Sequence, residues 1–202
     1  MLISRRRQRG MSLIELMIGL ALAALLLTLG LPSFTTAIRN REIRTAADAI
    51  QNGLQLARVE AVRRNRTVKF TLQSATGAWL VGCDPEDTTV VDGETVCPAT
   101  LQTHTVQSTH ASVATAQTVQ ATGSAASSPV FTDSLRFTAL GRVTADTLPA
   151  GNLATFQVTN PMGGTCAADG GEMRCLSVVV TSAGQVRMCD PAVAASTDPR
   201  KC

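Results

Sequence analysis

The chain of 202 residues contains no tyrosine, one tryptophan and only two histidines. Aromatics make up 3%, too few to build the platform on which single-stranded bases stack. Two histidines rule out a His-rich metal site. Its six cysteines lack the paired spacing of a zinc site. No P-loop or dinucleotide-binding glycine run exists, so Gly163-Gly164 and Gly170-Gly171 read as loop glycines. The acidic run from Asp84 to Glu94 lacks the spacing of a calcium loop and reads as a solvated acidic loop. A nucleophilic cysteine needs a histidine partner. His104 and His110 both lie in a low-complexity stretch and read as exposed and idle. The expectation is a protein with no catalytic residues, no metal and no cofactor.

Basic residues are unevenly spread. Between Lys69 and Arg136 there is no Lys or Arg, while six acids fall there. The formal net charge of +3 is also misleading. Arg5, Arg6, Arg7 and Arg9 sit in the first ten residues; without them the remainder carries 14 basic residues against 15 acidic ones. The basicity belongs to the leader and says nothing of a nucleic-acid partner.

Residues 11–31 are almost wholly apolar. As a helix this run spans roughly 30 Å, the thickness of bilayer hydrocarbon. Its basic flank stays cytoplasmic, so the rest of the chain is exported. A cleavable secretory signal would end in a small-residue site, but here Gly30-Leu31-Pro32 runs into a polar helix. A plain anchor leaves Glu15 unexplained. A carboxylate in hydrocarbon costs about 3 kcal/mol even on lenient scales, so it needs a partner.

A basic leader ending in Gly10, followed by Met11-Ser12-Leu13-Ile14-Glu15, closely resembles the type IV prepilin signature. The resemblance implies cleavage by a prepilin peptidase between Gly10 and Met11 and N-methylation of Met11. Glu15 then serves assembly, its carboxylate neutralising the free amine of a neighbouring subunit. The family usually begins with Phe, where this chain has Met11. Pro32 matches the family's proline near the end of the span and is read as a helix break. Implied partners are other pilin or pseudopilin subunits, the peptidase, an inner-membrane assembly platform and membrane lipid. The implied location is the inner membrane, single-pass, with the C-terminal domain in the periplasm and incorporation into a pilus or pseudopilus.

Residues 32–65 continue as an amphipathic helix. Ile38, Ala46, Ile50, Leu54, Ala57 and Ala61 recur at three- and four-residue steps, with Ala47 and Val62 widening the stripe. The helix is predicted to end near Asn65. Strands are predicted at 67–72, 78–83, 134–138 and 153–158, and a hairpin at 176–188 turns at Gly184. The class is α+β: a long N-terminal helix, its first half transmembrane, packed on an antiparallel β-sheet, as in the type IV pilin fold. The organisation is a leader over 1–10, a transmembrane and assembly helix over 11–31, the amphipathic helix over 32–65, and a periplasmic head over 66–202. Within the head, 84–130 reads as a low-complexity insertion, mainly loop.

Further residues extend the resemblance. Pro32-Ser33-Phe34, Arg39-Asn40-Arg41, Leu54 to Ala61 and Arg64-Asn65 are similar to the GspH/FimT branch. So are Gly141-Arg142 and Val178 to Arg187. That branch holds minor pilins of type IV pili, the pseudopilin H of type II secretion, and DNA-binding minor pilins of natural transformation. The DNA binders carry a Gly-Arg-x-Arg motif, which here reads Gly184-Gln185-Val186-Arg187, one arginine short. Arg187, Arg200 and Lys201 remain as possible DNA contacts, joined by Arg174 if the tail folds back.

Cys83, Cys97, Cys166, Cys175, Cys189 and Cys202 all follow the span, on the oxidising side. Six cysteines permit 15 pairings. The sequential one closes three short loops, and related pilins often close a C-terminal loop in this way.

Overall fold

The computed structural model describes residues 11–91, 93–105, 111–119, 133–148 and 150–202, with side chains at 29–33 and 113–119 outside that description. The chain divides into two compact units, residues 1–38 and 39–202. A helix, α1 (Leu13–Arg64), contributes to both.

In the first unit the described apolar side chains are exposed, Leu13 and Leu26 among them. Among the described residues, no helix is long and apolar enough to cross a membrane. Pro32 does not break the helix, contrary to the sequence reading, because α1 runs through it. A proline deletes one backbone donor, and the bonds on either side can carry the helix past it.

In the second unit α1 buries a single face. Ile43, Ala47, Ile50, Leu54, Ala57 and Ala61 are all fully buried. At 100° per residue these six positions stay in line, whereas Ile38 and Val62 swing off it. Those two are exposed, and Ile43 holds the inner place the sequence reading gave to Ile38. Each large aliphatic side chain so buried contributes about 2 kcal/mol. Asn65 then turns left-handed at φ 52°, and the Arg66 N–H reaches back to the Ala61 carbonyl at 3.2 Å. Asn is one of the few residues that adopts this cap readily.

Among the described residues ten strands follow: β1 (Val68–Leu72), β2 (Trp79–Cys83), β3 (Asp87–Val91), β4 (Glu94–Cys97), β5 (Gln102–His104), β6 (Ser112–Val119), β7 (Ser134–Phe137), β8 (Asn152–Thr159), β9 (Leu176–Thr181) and β10 (Val186–Cys189). Where one antiparallel sheet was expected there are two, ordered β5-β2-β1-β7 and β10-β9-β8-β6, plus a β3-β4 ribbon. All the strand pairings are antiparallel. Phe70 of β1 meets Phe156 of β8 edge to face, with ring centroids 5.8 Å apart, so both sheets share one core over α1. Gly53 of α1 makes room for this. A Cβ there would lie 2.7 Å from the Trp79 ring and 2.9 Å from Phe70.

The loop reading of 84–130 is corrected. Its described parts hold four strands, β3 to β6. β6 pairs with β8 along its whole length, from Ser112↔Thr159 to Val119↔Asn152. Backbone pairing with a buried neighbour overrides a polar, low-complexity composition. His104 is not idle either: at the β5 edge its ring stacks on Trp79, centroids 5.5 Å apart. His110 lies outside the described residues.

The six cysteines pair sequentially, as Cys83–Cys97, Cys166–Cys175 and Cys189–Cys202. The first joins the end of β2 to the end of β4 and so closes the base of the segment that carries the β3-β4 ribbon, an element too small to be stable alone.

Candidate functional site

Two surfaces of the second unit gather the residues that the sequence singled out. The first is the C-terminal tail. Cys202 is tied to Cys189 at the end of β10, which brings residues 198–202 back against the sheet. Asp190 anchors the return. It is 4% exposed; its N–H donates to the Arg200 carbonyl at 2.7 Å, and its carboxylate accepts from Arg174 Nε at 3.0 Å. Arg187 donates to the Lys201 carbonyl at 3.1 Å. Arg174, Arg187, Arg200 and Lys201 are therefore brought together.

Their charge, however, is largely answered locally. Arg200 grips Asp198 through Nε at 3.1 Å and a terminal nitrogen at 2.7 Å. The Arg200 hydrogen bonds hold the Asp198 carboxyl at about 2, well below the usual range. Phosphate binding scales with the number of cations free to replace counterions, and two of these four already hold carboxylates. Beside the tail an open cleft of about 610 Å³ lies against α1, lined by Arg41, Arg44, Arg174 and Arg200 but also by Asp48 and Asp190. Asn40 fixes its edge by accepting from the Arg174 N–H at 3.1 Å.

The second surface is a groove of about 640 Å³ between α1 and the start of β10, lined by Arg58, Val59, Val62 and Arg63 with Gln185 and Val186. No acid lines it. Beside it two turns touch. Gly141 has φ 71° and lies so near α1 that a Cβ would sit 3.1 Å from Arg58 Nε and 3.3 Å from Val62. Gly184 has φ 83°, and a Cβ there would collide with the Gly141 carbonyl. The Val143 N–H donates to the Ser182 carbonyl at 3.1 Å beside them. Sequence reading singled out both glycines as motif residues without foreseeing that they meet. The only sequence signal was a glycine in each of two short turns.

Of the other singled-out residues, Met11 and Glu15 are exposed at the start of the first unit, Glu15 in the first turn of α1. Gly10 lies outside the described residues. All six cysteines are consumed in disulfides, and among the described residues no three His, Cys, Asp or Glu converge as a metal site.

Residues 46–184 match the sequence model of the family described as Type II transport protein GspH. The chain belongs to the GspH family. That match runs from the buried face of α1 through to Gly184, and so takes in both turns of the groove. A second match, to the prokaryotic N-terminal methylation motif, covers residues 5–31. The two together make this GspH-family chain a pilin-like protein with a prepilin-type N-terminus, built as a helix on antiparallel sheets. Among solved structures it is similar to the type IV minor pilin FimU of Pseudomonas aeruginosa in two crystal forms. Identity is 20% in both; 77% and 76% of this chain and 94% and 97% of FimU are covered, at TM-scores of 0.48 and 0.45. No curated protein matches it.

Proposed function

We propose that this GspH-family chain is a minor subunit of a type IV pilus, acting in fibre assembly and twitching and contributing structure rather than catalysis. The observation that carries the reading is the methylation motif over residues 5–31, which brackets Gly10, Met11 and Glu15. A prepilin peptidase cuts between Gly10 and Met11 and the new amino terminus is methylated. The 11–31 run holds the chain in the inner membrane with the head on the periplasmic side, where lipid and the assembly platform are its surroundings. In the fibre, Glu15 faces the amine of a neighbouring subunit, since an unpaired charge in low dielectric is costly. Three disulfides in the head agree with an oxidising compartment.

A second reading, as pseudopilin H of a type II secretion system, is favoured by the description of the family that matches 46–184. DNA binding by Arg187, Arg200 and Lys201 has the folded-back tail in its favour and the Asp190 and Asp198 ion pairs against it. One experiment separates the three: delete the gene and score twitching, DNA uptake and exoprotein secretion side by side. Loss of twitching with normal secretion supports the pilus. Secretion lost alone transfers the protein to type II secretion, and uptake lost alone restores the DNA reading.

A further inference from the structure

We propose that the β3-β4 ribbon of one copy docks in the Arg58–Val62 groove of a second copy, head to tail. The two surfaces are opposite in charge and alike in apolarity. On the ribbon, Val90 and Val91 are 62% and 55% exposed on its two faces. Glu86 and Glu94 flank them, and neither carboxylate has an ionic or hydrogen-bonded partner among the described residues. No Lys or Arg lies anywhere between Lys69 and Arg136; Arg66 reaches in from outside to hold Asp87 at 2.9 Å but leaves the Glu86 and Glu94 carboxylates unanswered.

The groove supplies the complement. Val59 and Val62 are 59% and 53% exposed, and Leu140 of the adjoining turn is 82% exposed. Arg58, in the lining, and Arg142, next to Gly141, hold no carboxylate among the described residues. The arginine cleft beside the tail is the weaker host. Three of its arginines, Arg44, Arg174 and Arg200, are already paired, and Asp48 and Asp190 in its own wall would repel an acidic ribbon.

Both surfaces belong to the same compact unit and both are exposed, so a ribbon does not fill its own groove. A contact between unlike patches is heterologous and leaves a free ribbon and a free groove at the ends of every open complex, so association propagates until a ring closes. Valines give the contact area and the outer charges set register and partner choice. Being exposed, those charges are screened by salt.

The test is sedimentation velocity of the full chain in detergent micelles, over a concentration series up to about 100 μM at low and high salt. The variants are Arg58→Glu, Glu94→Arg and the two combined, with Glu86→Arg as an independent acid-side reversal. The wild type is expected to form concentration-dependent oligomers that weaken in salt. Each single reversal should weaken association roughly fivefold or more, and the Arg58→Glu, Glu94→Arg pair should recover most of it. A monomeric wild type across the series overturns the proposal, as does a double variant no stronger than the singles. The contact is independent of cleavage at Gly10, so its failure leaves the subunit reading standing, and loss of that reading leaves this contact to be judged alone.

Discussion

Gly184 is seated directly against the backbone carbonyl of Gly141, and that contact joins the β9-β10 hairpin to the turn after β7. Both residues are in the left-handed region, at φ 83° and 71°. A Gly184→Ala change must bear the strained backbone and a backbone clash together, about 3 kcal/mol. Denaturant unfolding of the purified chain measures it. A loss near zero would show that the two turns can separate freely.

The tail predicts a second outcome. Replacing Cys189 and Cys202 together by Ser opens a loop with a sequence separation of 13. It should lower stability by about 3 kcal/mol. The tail should also become sensitive to protease between Asp190 and Arg200, since the staple that holds this return is gone. Unchanged protection would mean that the Asp190 contacts suffice by themselves.

Acid should weaken the head through Asp84. Partial burial pushes this carboxyl up, but hydrogen bonds and charge from Arg136 and Lys69 outweigh it and hold it below its ordinary value. Arg136 bonds Asp84 at 2.7 Å and Asp146 at 2.9 Å. A depressed carboxyl contributes stability that is present above its unfolded pKa, near 4, and is lost as pH falls through the folded one. The Asp84→Asn variant should be less stable at neutral pH, with the difference shrinking below about pH 4. Thermal midpoints across that range check it; a constant difference would show that Asp84 acts through packing alone.

Glu15→Gln separates processing from assembly. The mature chain should still begin at Met11 by intact mass, because the cleavage site is untouched, while its amount in sheared fibres should fall. Equal amounts in the fibre would remove the proposed pairing between Glu15 and the neighbouring amine.

Much of the fold was legible because its elements obey a single period. Ile50, Leu54, Ala57 and Ala61 repeat at helical spacing, and Val68 to Leu72 alternates buried and half-buried. Ile43 was missed because its neighbours Glu42 and Arg44 are charged, which hides an inward position at a helix face's end. The strands within 84–130 were missed for a different reason. β3 is exposed on both faces, so it has no alternation to read, and β6 is set by its partner β8. The tail cluster and the acids beside it, Asp190 and Asp198, were legible by residue type, but which acid meets which arginine was not. That Asp190 would be buried and Asp198 gripped depends on where a disulfide returns the chain, which spacing alone does not fix.

The first, third and fifth cysteines each bond the next one along the chain, at separations of 14, 9 and 13 residues. A chain that emerges into an oxidising compartment from its N-terminal side presents its thiols in that same order. Every cysteine then meets its proper mate as the first one available, before any later thiol has appeared. Oxidation can keep pace with export and finish without an isomerase undoing wrong pairs. If the head is exported as proposed, the order of the bonds along the chain makes translocation itself the proofreader of connectivity.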